Sequence, residues 1–203
     1  VIRNTYSLLS MTLAFSALMA GISTVMAMPS WTYLACVGGS FALMWFVLPK
    51  TANSPAGLGV VFGITGLLGF GLGPILNMYL ALANGGQIVM TALGGTGVIF
   101  LALSAYALTT KKDFSYLGGM LFTGMIVVLI AALANIFLHM PAMSLAISGA
   151  VIMIMSGFIL YDTSRMIHDG QANYLLITVG LYLNIYNIFI SLLQILGIAG
   201  GDD

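Results

Sequence analysis

The stretch "ISGAVIMIMSGFILYDTSRMIHDG", residues 147–170, runs for fifteen residues without a formal charge before it presents Asp162, with Arg165 three positions later. A run this apolar belongs in hydrocarbon, where an α-helix of about 20 residues crosses about 30 Å. A carboxylate placed inside such a helix has to be satisfied by protein or water, and it marks a candidate functional position. The rest of the chain reads the same way. Of its 203 residues 61% are hydrophobic and 5% charged, with no Glu at all, and the mean hydropathy is +1.12. Soluble domains carry about 25% charged residues. The composition therefore specifies an integral membrane protein. It excludes a nucleic-acid binder, because five basic residues against five acidic ones leave no positive footprint.

Breaks at polar, Pro and Gly-rich positions divide the chain into seven spans, at about 5–27, 31–49, 57–80, 87–109, 116–139, 142–167 and 172–197. The spans fill one domain, residues 1–203. The first lacks a basic segment followed by a small-residue cleavage site, so it reads as a span and not as a removed signal peptide. The chain opens on Val1 and not Met, and the expectation is that a tail precedes it. If all seven runs cross, the N-terminus and the second, fourth and sixth connectors share one side, and they hold Arg3, Lys50, Lys111, Lys112 and Arg165. Lys and Arg stay on the cytoplasmic side. The predicted N-terminus is therefore cytoplasmic and the closing "GGDD" periplasmic, in a bacterial inner membrane.

Membrane helices associate through close backbone approach, for which Gly59/Gly63, Gly69/Gly73 and Ala146/Ala150 are suited. Packing within one chain and homodimerisation both use such pairs. "GFGLGPILN" sets Pro74 among alternating glycines, so the third helix is expected to bend or unwind locally, with Asn77 satisfying a freed backbone group. In the last span Gly180, Asn184, Asn187, Ser191 and Gln194 recur at steps of four, three, four and three, lining one helical seam. A polar seam in lipid is costly, so it should face protein or a water-filled cavity. Tyr182 and Tyr186 beside it read as packing. Cys36, the single cysteine, reads as buried packing, and His139 and His168 as solvated loop residues.

Asp162 is the one acid well inside an apolar run. Arg165 stands on the same helical face, and Lys50 ends the second span; either can pair with the carboxylate. Such a pair serves either as a structural ion pair or as a latch that protonation releases. The sequence contains no metal-ligand cluster, nucleophile-base pair or phosphate-binding loop, so an enzyme is not expected.

Three segments resemble the Bax inhibitor family: "SYLGGMLFTGMIVVLIAALANIFL" (115–138), "ISGAVIMIMSGFILYDTSRMI" (147–167) and "LYLNIYNIFISLLQILG" (181–197). With "RNTYSLLSMTLAFSA", "KTAN", "GPILN" and "ALTTKKDFS", the resemblance spans nearly the whole chain and is nearest to the bacterial YccA-like branch. It implies an all-α membrane fold of seven helices, the last one central and surrounded by the other six. Two functions follow from it. One is non-enzymatic modulation, as inhibitor or slowly processed substrate, of FtsH, a membrane-anchored protease. The other is a pH-sensitive calcium or cation leak, in which the acid of "LYD", here Asp162, pairs with a second acid in the last helix. That second position reads Asn184, so a proton-sharing carboxylate pair cannot form here, although Asn184 can still bond to Asp162. The resemblance further implies a basic partner near the inner end of the second helix, where Lys50 is the nearest candidate. Lipid, FtsH, protons and transient Ca²⁺ are the expected partners, with no resident cofactor or metal.

Overall fold

The computed structural model describes residues 1–200, so the end of "GGDD", residues 201–203, lies outside the described residues. Seven helices follow one another: α1 (Ile2–Val25), α2 (Trp31–Thr51), α3 (Ala56–Leu80), α4 (Gly85–Thr110), α5 (Leu117–Leu138), α6 (Pro141–His168) and α7 (Tyr174–Gly200). Each is long and apolar enough to cross a membrane, and each lies within a few residues of its expected span. In hydrocarbon every backbone N–H and C=O must find a partner inside the protein, which a helix achieves within its own segment. Exposed Phe122, Ile126, Ile130 and Phe137 on α5 are what a lipid-facing helix requires. α7 is the most buried of the seven helices and α5 the least.

The chain forms two compact units. Among the described residues, the first holds 1–83 and 171–182; the second holds 84–170 and the part of α7 from 183 onward. The two halves of α7 therefore belong to different units.

In the first unit α1 and α2 pack on α3, and small residues set how closely. A Cβ added to Gly69 would stand 2.8 Å from Ser16 Cα, and one added to Gly73 would stand 2.8 Å from the Ser23 carbonyl carbon. Of the small-residue pairs, Gly69/Gly73 is thus a contact of α3 with α1 inside the chain. A Cβ on Gly59 would meet nothing within 4 Å. Cys36 is buried, as expected. α2 is not a uniform α-helix: Leu43–Val47 are wound as a π-helix, with the Leu48 N–H bonded to Leu43 O. Pro49 is the physical cause. Its ring would collide with the carbonyl four residues back, and the wider turn relieves that clash.

Of the two outcomes expected at Pro74, a bend or a local unwinding, the second is corrected. α3 is continuous from Ala56 to Leu80 with Pro74 inside it, so the expected local unwinding does not occur. Asn77 does not serve its own helix either: its Nδ2 donates to Thr24 O at 3.2 Å, in the last turn of α1. With Gly69 and Gly73 pressed against α1, the C-terminal half of α3 is held by its neighbour, and the amide tethers the two helices.

In the second unit α6 packs on both α4 and α5. Its core is Met155, Ile159 and Ile188, with Val151, Phe158 and Leu192 among the apolar side chains around them.

Candidate functional site

Asp162 sits two turns before the end of α6 and is 7% exposed. A carboxylate so placed would be costly without partners, and two are present. Asn184, 5% exposed, donates from Nδ2 to Asp162 Oδ2 at 2.9 Å. Arg165 Nη1 lies 3.8 Å from Oδ1. The first distance is a hydrogen bond and the second is a looser ion pair. The guanidinium is more exposed than the carboxylate and lies 5.8 Å from the Tyr161 ring centre, so it reaches from Asp162 toward the helix end over an aromatic face. The spacing explains the geometry: Asp162 and Arg165 share a helical face as i and i+3, and Asn184 opposes them from α7. Lys50, the other candidate cation, belongs to the first unit and is exposed.

The seam of α7 divides into separate contacts. Asn187 turns back on its own helix, Nδ2 to Leu183 O at 2.8 Å. Ser191 is buried. Gln194 accepts a 2.7 Å hydrogen bond from Ser148 Oγ of α6. Between the Asp162–Asn184 pair and the Ser148–Gln194 pair stand Ile159, Met155 and Ile188.

Tyr182 is not mere filler, contrary to the expectation. Its hydroxyl is hydrogen-bonded to Ser16 Oγ and lies 3.3 Å from Thr65 O, all buried within the first unit. A phenol buried this deeply needs such partners, and alternating polar and apolar positions along α7 were the available signal. Asn173, which nothing in its local sequence singles out, is fixed in the same unit. Its Oδ1 accepts from the Leu175 N–H at 2.9 Å, capping the start of α7. Its Nδ2 donates to Ala52 O and Asn53 Oδ1, both at 3.0 Å.

Behind the carboxylate, the α4–α5 connector is fastened to the end of α6. Ser164 Oγ accepts the Phe114 N–H at 2.9 Å and donates to Asp113 Oδ1 at 3.3 Å. Asp113 Oδ1 also accepts the Ser115 N–H at 3.0 Å. Hydrogen bonds from Ser115 hold the Asp113 carboxyl below the usual carboxylate range, with the nearby His168 adding to the effect. His168 Nε2 lies 2.9 Å from Lys111 O, so this histidine is tied down and not simply solvated. Lys111 itself takes a left-handed conformation, φ 54°, that ends α4. His139 has the same role at the end of α5, φ 52°.

Seven apolar helices, a paired carboxylate and amide between two of them, and outward faces of bulky hydrocarbon define a multi-pass α-helical membrane protein. The family model described as Inhibitor of apoptosis-promoting Bax1 matches residues 1–201, and the chain belongs to this Bax inhibitor family. It is 54% identical over 202 residues to the protein named Modulator of FtsH protease YccA of Escherichia coli K12, covering 100% of this chain and 91% of the relative. The same identity and coverage hold for the Inner membrane protein YccA of Escherichia coli O6:H1. An uncharacterized membrane protein of Vibrio cholerae is 48% identical over 209 residues, covering 100% of this chain and 91% of that one.

Proposed function

We propose that this chain is a non-enzymatic modulator of an FtsH-type membrane protease in the bacterial inner membrane, acting as inhibitor or slowly processed substrate. The observation that carries this reading is the 54% identity over the whole chain to a relative named for that role. The match covers 100% of this chain, so the compared region includes the helix surfaces and connectors that a protein partner meets. In this reading the chain is one seven-helix domain with its N-terminus cytoplasmic and its C-terminus periplasmic. α7 is its central helix, which accords with the burial of that helix. The test is a pulse-chase of a membrane substrate of FtsH in cells producing or lacking the chain. Production should lengthen the substrate's half-life, and the chain should co-purify with the protease. An unchanged half-life at equal expression, with no co-purification, would defeat the reading.

A second reading has its own observation. A buried carboxylate held by Asn184 and a half-exposed Arg165 is a group whose protonation would release both partners, and the chain would then be a pH-sensitive leak for calcium or other cations with Asp162 as latch. Protonation removes the charge that Arg165 neutralises and turns an acceptor of the Asn184 amide into a competing donor. Calcium in this reading is transient cargo.

A further inference from the structure

Within the first unit, α1 and α3 leave an apolar groove of about 420 Å³ between them. Phe15 and Met19 of α1 line one side, and Phe62, Gly63, Gly66 and Phe70 of α3 line the other. Every residue along it is apolar, and its rings and Met19 are only half-buried, so it is a groove and not an enclosed cavity. Glycines shape it. A Cβ on Gly66 would stand 2.6 Å from Phe15 Cε1, so the Phe15 ring lies against the α3 backbone there. A Cβ on Gly63 would meet only Leu43 Cδ1, at 3.4 Å. The Phe15 and Phe62 rings meet edge to face with 5.7 Å between their centres, a favourable aromatic geometry that ties the two sides together. Phe62 is six residues from the start of α3 and Phe70 ten from its end, about 9 Å and 15 Å at 1.5 Å per residue. Whichever way the chain faces, the groove therefore lies at hydrocarbon depth in a membrane with a core about 30 Å thick.

We propose that this groove binds one acyl chain of a membrane phospholipid. Size, depth and chemistry select the occupant. From Phe62 to Phe70 the helix rises about 12 Å, and 420 Å³ spread over that length is a slot roughly 6 Å across. A helix with its side chains is about 10–12 Å wide, so a helix of a second copy or of another protein would only rest on the rim. Hydrocarbon atoms pack about 3.5–4 Å apart, so the slot admits one chain and not two. A polar ligand finds no side chain to bond with there and would lose its water for nothing. The hydrophobic effect does not drive the acyl chain in, because it exchanges one hydrocarbon for another. Contact holds it: a chain in the slot is touched from both sides, whereas an empty slot forfeits those dispersion contacts. Chain binding here is independent of both the protease and the leak readings; it needs only that α1 and α3 cross the membrane.

The experiment places the full chain in nanodiscs of palmitoyl-oleoyl phosphatidylglycerol and phosphatidylethanolamine and compares the unmodified protein, Gly63→Leu and Gly59→Leu by native mass spectrometry. Gly63→Leu puts a hydrocarbon side chain where the acyl chain would lie. Gly59→Leu adds the same side chain one turn away, in open space outside the groove. After the surrounding lipids are stripped, the unmodified protein and Gly59→Leu should keep one phospholipid per chain, and Gly63→Leu should keep about tenfold less. Thermal unfolding in detergent gives a second readout, because a ligand that binds only the folded state stabilises it. Added phospholipid should raise the unfolding temperature of the unmodified protein and Gly59→Leu but not that of Gly63→Leu. Should Gly63→Leu fail to fold, as judged by size-exclusion and circular dichroism, Met19→Trp fills the slot from the α1 side. Equal retention by all variants, or no retained lipid on the unmodified protein, overturns the proposal. A dimer that Gly63→Leu abolishes would assign the groove to a second copy, and retention of added oleate without phospholipid would assign it to a free fatty acid; either result overturns it as well.

Discussion

Two carboxylates near the end of α6 have opposite surroundings. Asp162 is buried and depends on Asn184 and Arg165; Asp113 is exposed and depends on Ser115 and Ser164. Asp113 carries the clearer consequence for pH. Its folded pKa lies below its ordinary value, so the stability it contributes is fully present above about pH 3.9 and is lost as pH falls through the lower folded value. Asp113→Asn keeps an acceptor oxygen and removes the charge. It should lower the unfolding temperature slightly at neutral pH in detergent, and the difference from the unmodified protein should close as pH falls through the lowered folded pKa. A difference that persists unchanged into acid would mean that the carboxylate's charge is not what fastens the connector. Asp162 could be found in the sequence because a lone acid in an apolar run has no inconspicuous explanation, and Asn184 because its polar seam needed partners. Asp113 could not, since "TTKKDFS" reads as an ordinary solvated connector and its partner Ser164 is fifty-one residues away. Nothing in the spacing of Asp113 and Ser164 announces that fold-dependent bond.

At the level of the helix, length and hydropathy placed all seven spans, because the bilayer sets both quantities for any segment that crosses it. They say nothing of how a helix is wound. The π-turn at Leu43–Val47 follows from Pro49, yet Pro74 leaves α3 continuous; the same residue type has two outcomes because what neighbouring helices impose differs. Close contact with α1 is the main such constraint on α3, and it makes glycines of one helix unequal. Gly73→Ala would place a methyl group against Ser23, and overpacking of this kind costs about 1–3 kcal/mol. Gly59→Ala adds its methyl to open space and removes the helical penalty of glycine, about 0.8–1 kcal/mol. Thermal unfolding in one detergent should therefore rank Gly73→Ala below the unmodified protein and Gly59→Ala level with it or above. If both variants unfold together, contact between α1 and α3 is not what fixes α3.

For the molecule as a whole, the charges decide which way it faces. Only five basic residues are present in 203, so each weighs heavily. With seven crossings, Arg3, Lys50, Lys111, Lys112 and Arg165 all fall at the N-terminal side, whereas losing or merging one central span would scatter them over both faces. The rule acts through residues close to span ends and through Lys and Arg rather than net charge, and all five lie there. The connectors make this measurable. Lys112 is exposed in the α4–α5 connector and His139 is exposed between α5 and α6, so α5 separates them by one crossing. In a Cys36→Ser background, Lys112→Cys should resist a membrane-impermeant thiol reagent applied to the periplasmic face and react once the cells are opened. His139→Cys should react from the periplasmic face in intact cells. Reversed labelling would mean that the N-terminus faces outward. Labelling of both positions from one side would be the stronger blow, because α5 could then not cross the membrane and the seven-span architecture, with every inference drawn from its charge distribution, would fall.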